Sequence, residues 1–471
     1  MNFQPEEHID VLVIGNGFDL AHELNTSYAN FLFTRKCRPI KDILNKLSDI
    51  ISEEGIQQFR NLEYLFREAN AFRGEESLLD LIYRLKTTTY RPFYQTSSGE
   101  FVRGESVSNF GIWSRYFDKL CREKLPEVLK IEEKCDDIEK EVIEKIKQEK
   151  ELNEETRLDL QKKISEIKGN LKELEKTTIS SGLIWFNFEE EIYKIIVQCN
   201  QQLSEINNTK NTTNFDLLNP DIPKDFITSV IDFGKELAIK QLNKELRALI
   251  ADFYQHLYKE TLGDDIKKPK FKLFLEKKYQ THKLRVLNFN YTKTFEKLYA
   301  KDLEKKGFLF QDNHIIHIHG SIDESISNIT YVEDMDKMNF VLGTQLFTDE
   351  NNIHPDFHIF TKDYQRHHYK TIEGYETLLE ELNDLQKGSV TFHFIGHSLN
   401  NIDHEILKPM LCIQNTAVRN SSINVYYYNE KSHGDLENNM TNIIGKEKMA
   451  RVEFINQHDK ERGGILQKIG D

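Results

Sequence analysis

Several short stretches of the 471-residue chain combine residue types that could carry chemistry. In VLVIGNGFDLA the β-branched run Val11 to Ile14 ends at Gly15-Asn16-Gly17, with Asp19 just beyond. Paired glycines let a backbone turn tightly and approach a ligand, and the amides opening the next helix would stabilise an anion there. The same glycines also suit any tight strand-to-helix connection, for steric reasons alone. In LNFNYTKTFEKLY a strand ends in Asn288-Phe289-Asn290-Tyr291-Thr292 before a helix. Open α/β sheets bind ligands beyond the carboxyl ends of their strands, so Asn290 and Tyr291 occupy a place where side chains meet substrate. The alternative for Asn290 is a cap on the following helix.

HIHGS contains His317, His319 and Gly320. Alternation puts the two histidines on one face, and Gly320 lets the chain turn with His319 at the mouth of the sheet. An imidazole titrating near neutrality is the usual general base at pH 7, although a structural pair of histidines is the competing reading. A metal reading would add His354 or His358, but no nearby acid completes a recognisable set, so no metal is assigned. FHFIGHSLNNIDHEI runs a strand into Gly396-His397-Ser398, with Asp403 opening the next helix. Gly396 permits close approach and Ser398 could bind a ribose or phosphate, whereas Asp403 could be a pocket residue or only an N-cap. Glu189 stands among aromatics in WFNFE, where burial would raise its pKa for acid catalysis, or where it simply begins a core helix.

The elements that must position these residues follow from periodicity. Strand patterns fall at Val11–Ile14, Arg285–Asn290, His314–His319, Phe340–Leu342, Val390–Ile395, Ile423–Tyr428 and Arg451–Ile455. Helical stretches separate several of them, as parallel pairing requires. Thr26 and Ser27 offer N-cap oxygens to a helix with Tyr28, Phe31 and Leu32 on one face. The expected fold is α/β: a Rossmann-like, mostly parallel open sheet built from both ends of the chain, with a large helical insertion. The expected division is 1–125 and 281–471 for the two parts of that domain, 126–180 for a charged antiparallel helical hairpin, and 181–280 for a helical subdomain packing on the sheet. In the hairpin Ile131, Ile138, Val142 and Ile146 face Leu160, Ile164, Ile167, Leu171 and Leu174, with a polar break around Leu152 to Glu155. It reads as a solvated arm or as an oligomerising or partner-binding one. Asn/Thr-rich Ser204 to Asn214 reads as a loop. Leu242, Leu246, Leu249, Phe253 and Leu257 form a further apolar stripe, expected as core.

Composition excludes some functions. The formal net charge of −14 opposes extended phosphate contacts, so nucleic acid is disfavoured as a partner. No apolar run approaches the roughly 20 residues that span a bilayer, and MNFQPEEHID lacks a signal h-region, so a cytoplasmic protein without a membrane partner is expected. Five scattered cysteines read as reduced, mostly buried thiols.

Together, VIGNGFDLAHELNTSYANF, IWFNFEEEI, LNFNYTKTFEKLY, HIHG and FIGHSLNNID resemble the AbiH family of bacterial abortive-infection proteins. More distantly, the same blocks resemble sirtuin-like NAD-consuming domains. That resemblance implies that Gly15 and Gly17 hold a pyrophosphate, Asn290 positions the ribose or attacking water, His319 is the base and Ser398 contacts a ribose. Where such domains carry an acid this chain has Thr292, so Asp19, Glu189 or Asp403 would supply the negative charge.

The function expected on this basis is a phage-defence effector that binds NAD or a related nucleotide and hydrolyses the nicotinamide–ribose bond. The catalytic candidates are His319, Asn290 and Glu189. Gly15, Asn16, Gly17, Asp19, Tyr291, Gly396, Ser398 and Asp403 are the binding candidates. NAD enters as substrate or ligand, no cofactor is required, and a phage-derived trigger or self-association through the arm would regulate it. The alternatives are a non-catalytic nucleotide sensor and, more weakly, a metal-dependent nuclease.

Overall fold

A computed structural model describes residues 7–52, 126–148, 152–181, 188–209, 224–262, 281–308, 314–323, 339–345, 355–385 and 388–456, with short strands and single residues elsewhere. Its centre is a six-stranded sheet: β1 (Glu7–Ile14), β2 (Thr281–Asn288), β3 (Ile315–His317), β4 (Gly388–Ile395), β5 (Ser422–Tyr427) and β6 (Val452–Asn456). The order is β3-β2-β1-β4-β5-β6, and every pairing is parallel. This is the order of doubly wound dinucleotide-binding sheets, with the topological switch between β1 and β4. The expected open α/β sheet assembled from both chain ends is what forms.

Parallel strands covered on both faces read as near-continuous apolar runs, and β1 shows why. Ile9, Val11 and Val13 join one core with Val390, Phe392 and Phe394, while Leu12 and Ile14 join the other with Leu284 and Val286. One expected strand does not form. Phe340–Leu342 is extended but lies outside the sheet, tied by the Val341 amide to His319 O and by the Leu342 amide to Gln365 Oε1. Its apolar residues are buried by packing against helices rather than by a ladder, which periodicity cannot distinguish.

Contacts divide the chain into Met1–Ser27 with Asn187–Asp471, and Tyr28–Phe186. In the second unit, α1 (Tyr28–Ile50) packs on both α2 (Pro126–Gln148) and α3 (Glu154–Ser181), the two arms of the expected hairpin. Ile131, Ile138, Val142, Ile146, Leu160, Ile164, Ile167 and Leu171 are buried, and Leu174 is half-buried. Lys163–Glu141 at 2.7 Å joins the two arms, and Lys41–Glu175 at 2.8 Å and Lys36–Glu132 at 3.1 Å join α1 to them.

In the first unit, α4 (Phe188–Thr209) continues through part of the segment expected as a loop, whose remainder from 210 lies outside the described residues. α5 (Lys224–Leu262) buries its full stripe, Leu242 to Leu257. Among the described residues no helix is long and apolar enough to cross a membrane. Cys37 and Cys135 are buried, Cys199 and Cys412 half-buried, and Cys121 lies outside the described residues.

Candidate functional site

At the switch between β1 and β4, two backbones touch. The Gly15 amide donates to Ile395 O and the Gly17 amide to Gly396 O, at 3.0 and 2.8 Å. A Cβ at Gly15 would lie 2.5 Å from His397 Cα, and one at Gly17 would lie 2.8 Å from Gly396 Cα. Gly396 has φ +65 and a Cβ there would meet Phe18 N at 2.2 Å. All three glycines therefore permit close approach of two chain segments, the steric role, and the Gly17 amide is already engaged. Asn16, at the start of the six-residue helix Asn16–Ala21, accepts from the Thr26 hydroxyl at 2.7 Å.

Beyond the carboxyl ends of β1 and β2 lies a first polar group. β2 ends at Asn288, whose Oδ1 accepts from the Asn290 amide, and the Asn290 side chain donates to Gly15 O at 3.1 Å. Asn290 is thus a link between two strand ends and not a helix cap. Thr292 donates its hydroxyl proton to Asp19 Oδ2 at 2.5 Å, and Thr294 donates to Thr292. Burial pushes the Asp19 carboxyl up to about 6, against the lowering effect of Thr292.

The second group gathers on Lys362, which is 1 % exposed. It opens α6 (Lys362–His368), whose N-cap Thr361 accepts from the Tyr364 amide. Its ammonium lies 2.7 Å from Glu189 Oε1, 3.2 Å from Asp403 Oδ1 and 3.4 Å from His319 Nε2. His319 Nε2 is also 3.4 Å from Asp403 Oδ1, and His397 Nε2 is 3.6 Å from Asp403 Oδ2. The Leu399 amide donates to His397 Nδ1 at 2.9 Å, so that ring carries its proton on Nε2, towards Asp403. One turn along α6, Arg366 pairs with Glu405. The i, i+4 spacing puts both cations on one helix face, opposite two carboxylates spaced by two residues.

These charges separate the two carboxyls. Burial alone would raise Asp403, but Lys362 and the imidazoles of His319 and His397 outweigh it and hold it well below the usual carboxylate range. Burial raises Glu189, with Asp403 adding to the effect and Lys362 opposing it. One carboxyl is therefore the standing anion and the other the protonatable one, the pattern that assigns acid and base roles. Burial and Lys362 lower His319 to about 3, and burial lowers His397 to about 4, so both rings are neutral at pH 7.

Asp403 is the N-cap of α7 (His404–Leu411) but makes no side-chain capping bond, so its carboxylate serves the cluster instead. His317 and His319 do not share a face: β3 ends at His317, which turns to Glu296, while His319 turns to Asp403. The period-two argument fails because the strand stops between them. Gly320 has φ +75, as the turn requires. Ser398, next to His397, is exposed, and no side-chain bond ties it to the cluster among the described contacts. Tyr291 donates to Val341 O and stacks on Phe340 with ring centroids 4.1 Å apart, which fixes it against the 339–345 segment. His358 is exposed and His354 lies outside the described residues.

His319, Glu189 and Asp403 thus come together directly, Asp19 and Asn290 form the adjoining group, and Phe289 contacts both His319 and His397. Sequence reasoning missed Lys362, Arg366 and His397. A lysine directly after a capping threonine opposes the helix macrodipole, and that local inconsistency is the one signal that marked Lys362.

The buried polar atoms say where a ligand would be felt. Among the described residues, nine buried side-chain polar atoms have no hydrogen-bond partner, and six belong to Asp19, Asn290, Glu296, His319 and Arg366. Unpaired buried groups are costly and call for an explanation, and these gather at the carboxyl ends of the strands.

Fold and site together define an open, parallel, doubly wound α/β protein with a buried ionisable cluster beyond its strand ends. A family model described as bacteriophage abortive infection AbiH matches residues 11–427, and the chain belongs to that family. Its function accordingly lies in abortive infection, the bacterial response to phage. No curated protein and no solved structure matches the chain.

Proposed function

We propose that this AbiH protein binds NAD or a related nucleotide beyond the β1 to β4 strand ends and hydrolyses the nicotinamide–ribose bond. The observation that carries the reading is the concentration of unpaired buried polar atoms beside a carboxylate held ionised. Cleavage of an N-glycosidic bond of this kind passes through an oxocarbenium-like state, which a fixed anion in a water-poor site stabilises. Asp403 is the anion best suited to that task, since Asp19 and Glu189 are both shifted towards their neutral forms. The unpaired Asn290 Oδ1 and His319 Nδ1 are acceptors or donors for a ribose hydroxyl or the attacking water. The free N–H groups of Arg366 suit phosphate. In this reading Gly15, Gly17 and Gly396 shape the floor, and Glu189 with Lys362 sets the ionisation of Asp403.

A non-catalytic nucleotide sensor has one observation in its favour: a pKa of about 3 makes His319 a poor base. Purified chain incubated with NAD separates the two. Nicotinamide release by wild type, lost in Asp403→Asn and in Asn290→Ala, supports hydrolysis. Saturable NAD binding by calorimetry without nicotinamide release supports the sensor, and no binding by a folded wild type refutes both.

A further inference from the structure

On one face of the same sheet, three adjacent strands turn polar side chains towards one another. β1 supplies His8 and Asp10, β2 supplies His282 and β4 supplies His393, and the register pairs His8 with His282 and Leu12 with His393 on a common face. All four are buried. Three imidazole Nε2 atoms converge on one carboxylate: His8 at 2.9 Å and His393 at 3.4 Å from Asp10 Oδ1, and His282 at 2.7 Å from Oδ2. The candidate donor atoms of His8, Asp10 and His282 all lie within 4.8 Å of one another.

We infer that His8, Asp10, His282 and His393 form a binding site for a divalent transition-metal ion of the zinc type. Zinc–nitrogen and zinc–oxygen bonds of 2.0–2.1 Å in a tetrahedron place ligand atoms about 3.3 Å apart, so the donors of His8, Asp10 and His282, all within 4.8 Å of one another, can close on an ion by side-chain shifts within the fold. Two of the outer ring nitrogens are already held as metal-ligating imidazoles require. His8 Nδ1 lies 2.6 Å from Ser389 Oγ and His393 Nδ1 lies 3.2 Å from Tyr426 OH, which aims both Nε2 atoms inward. Central strands of a parallel sheet are ordinarily apolar on both faces, and here three of them break that rule on one face. Two imidazoles and one carboxylate supply three ligands, and His393, 3.4 Å from Asp10 Oδ1, is placed to supply the fourth of a structural ion that ties three strands together.

The test uses the full-length untagged chain, loaded with zinc, freed of excess ion by gel filtration and assayed for metal. Wild type is expected to keep about one zinc per chain, and Asp10→Asn and His282→Gln less than about a fifth of that. The exposed pair His358→Gln with His367→Gln should keep the wild-type content. Because a core variant may fail to fold, cobalt substitution of wild type supplies an independent reading. A visible absorption band of tetrahedral intensity, bleached by added zinc, supports the site. A wild type that keeps no stoichiometric zinc and shows no such band, or a folded Asp10→Asn that keeps its zinc, overturns it.

Discussion

Replacing Lys362 by methionine keeps the volume of the side chain and removes its charge from between Glu189 and Asp403. Wild type holds that ammonium 2.7 Å from one carboxylate and 3.2 Å from the other, with 1 % of the residue exposed. Removing one partner from a buried ion pair leaves an uncompensated charge, at a cost of about 3–5 kcal/mol. Since burial already raises Glu189, part of that cost is relieved by its taking up a proton, which favours the lower half of the range. The pH dependence gives a second, signed test. Lys362 opposes the burial that raises Glu189, so without it that carboxyl stands higher still, and a raised carboxyl stabilises less as pH rises through it. The gap between wild type and Lys362→Met should therefore widen from pH 5 to pH 8 in denaturant titrations. A double-mutant cycle with Asp403→Asn should show coupling of at least about 1 kcal/mol. A Lys362→Met protein within about 1 kcal/mol of wild type at pH 7, with an unchanged pH profile, would refute the reading of this cluster as a desolvated charge network.

Further outcomes follow from the same geometry. His319 falls from its ordinary value to about 3 in the fold, so its contribution is present near neutrality and is lost as pH drops below its unfolded pKa of about 6.5. His319→Gln should flatten that acid limb by up to about 1.4 kcal/mol per pH unit, read from denaturation midpoints. Asp19, raised to about 6, acts oppositely: stability declines as pH rises from about 4 to 6, and Asp19→Asn should remove that decline. Gly396→Ala places a Cβ 2.2 Å from Phe18 N at φ +65 and should cost more than about 1 kcal/mol in thermal or denaturant unfolding. Gly434→Ala, in the helix Glu430–Ile444 with nothing near the added carbon, should instead stabilise by about 0.5–1 kcal/mol.

Most of the sheet was legible because parallel strands are apolar runs bounded by glycine and polar turns, which is how Val11–Ile14 and Val390–Ile395 announce themselves. Phe340–Leu342 misled because an extended apolar segment buried under helices has the same composition as a strand. The site was legible where a motif sits at a strand end, as with His319, Asp403 and Asn290. It was not legible where a residue arrives from a helix far away in the chain: Arg366 carries no local pattern that sets it apart from surface cations, and Lys362 has only its place at a helix start. Asp403 shows the limit in another way, since capping and charge pairing predict the same residue type and only the observed contacts decide between them. Ser398 shows the converse, a polar residue in a suggestive motif whose side chain faces solvent. His8 and Asp10 lie ahead of the expected strand Val11–Ile14, and only register with β2 and β4 puts two other histidines on their face.

The proposed action of the Asp403 cluster on NAD would be felt during phage infection. The most direct measurement is NAD content through an infection time course in cells carrying wild type, Asp403→Asn or His319→Ala at matched protein levels. The account predicts NAD collapse with nicotinamide accumulation in the wild type alone, together with loss of protection in both variants. Steady NAD in infected cells that wild type nonetheless protects would contradict it.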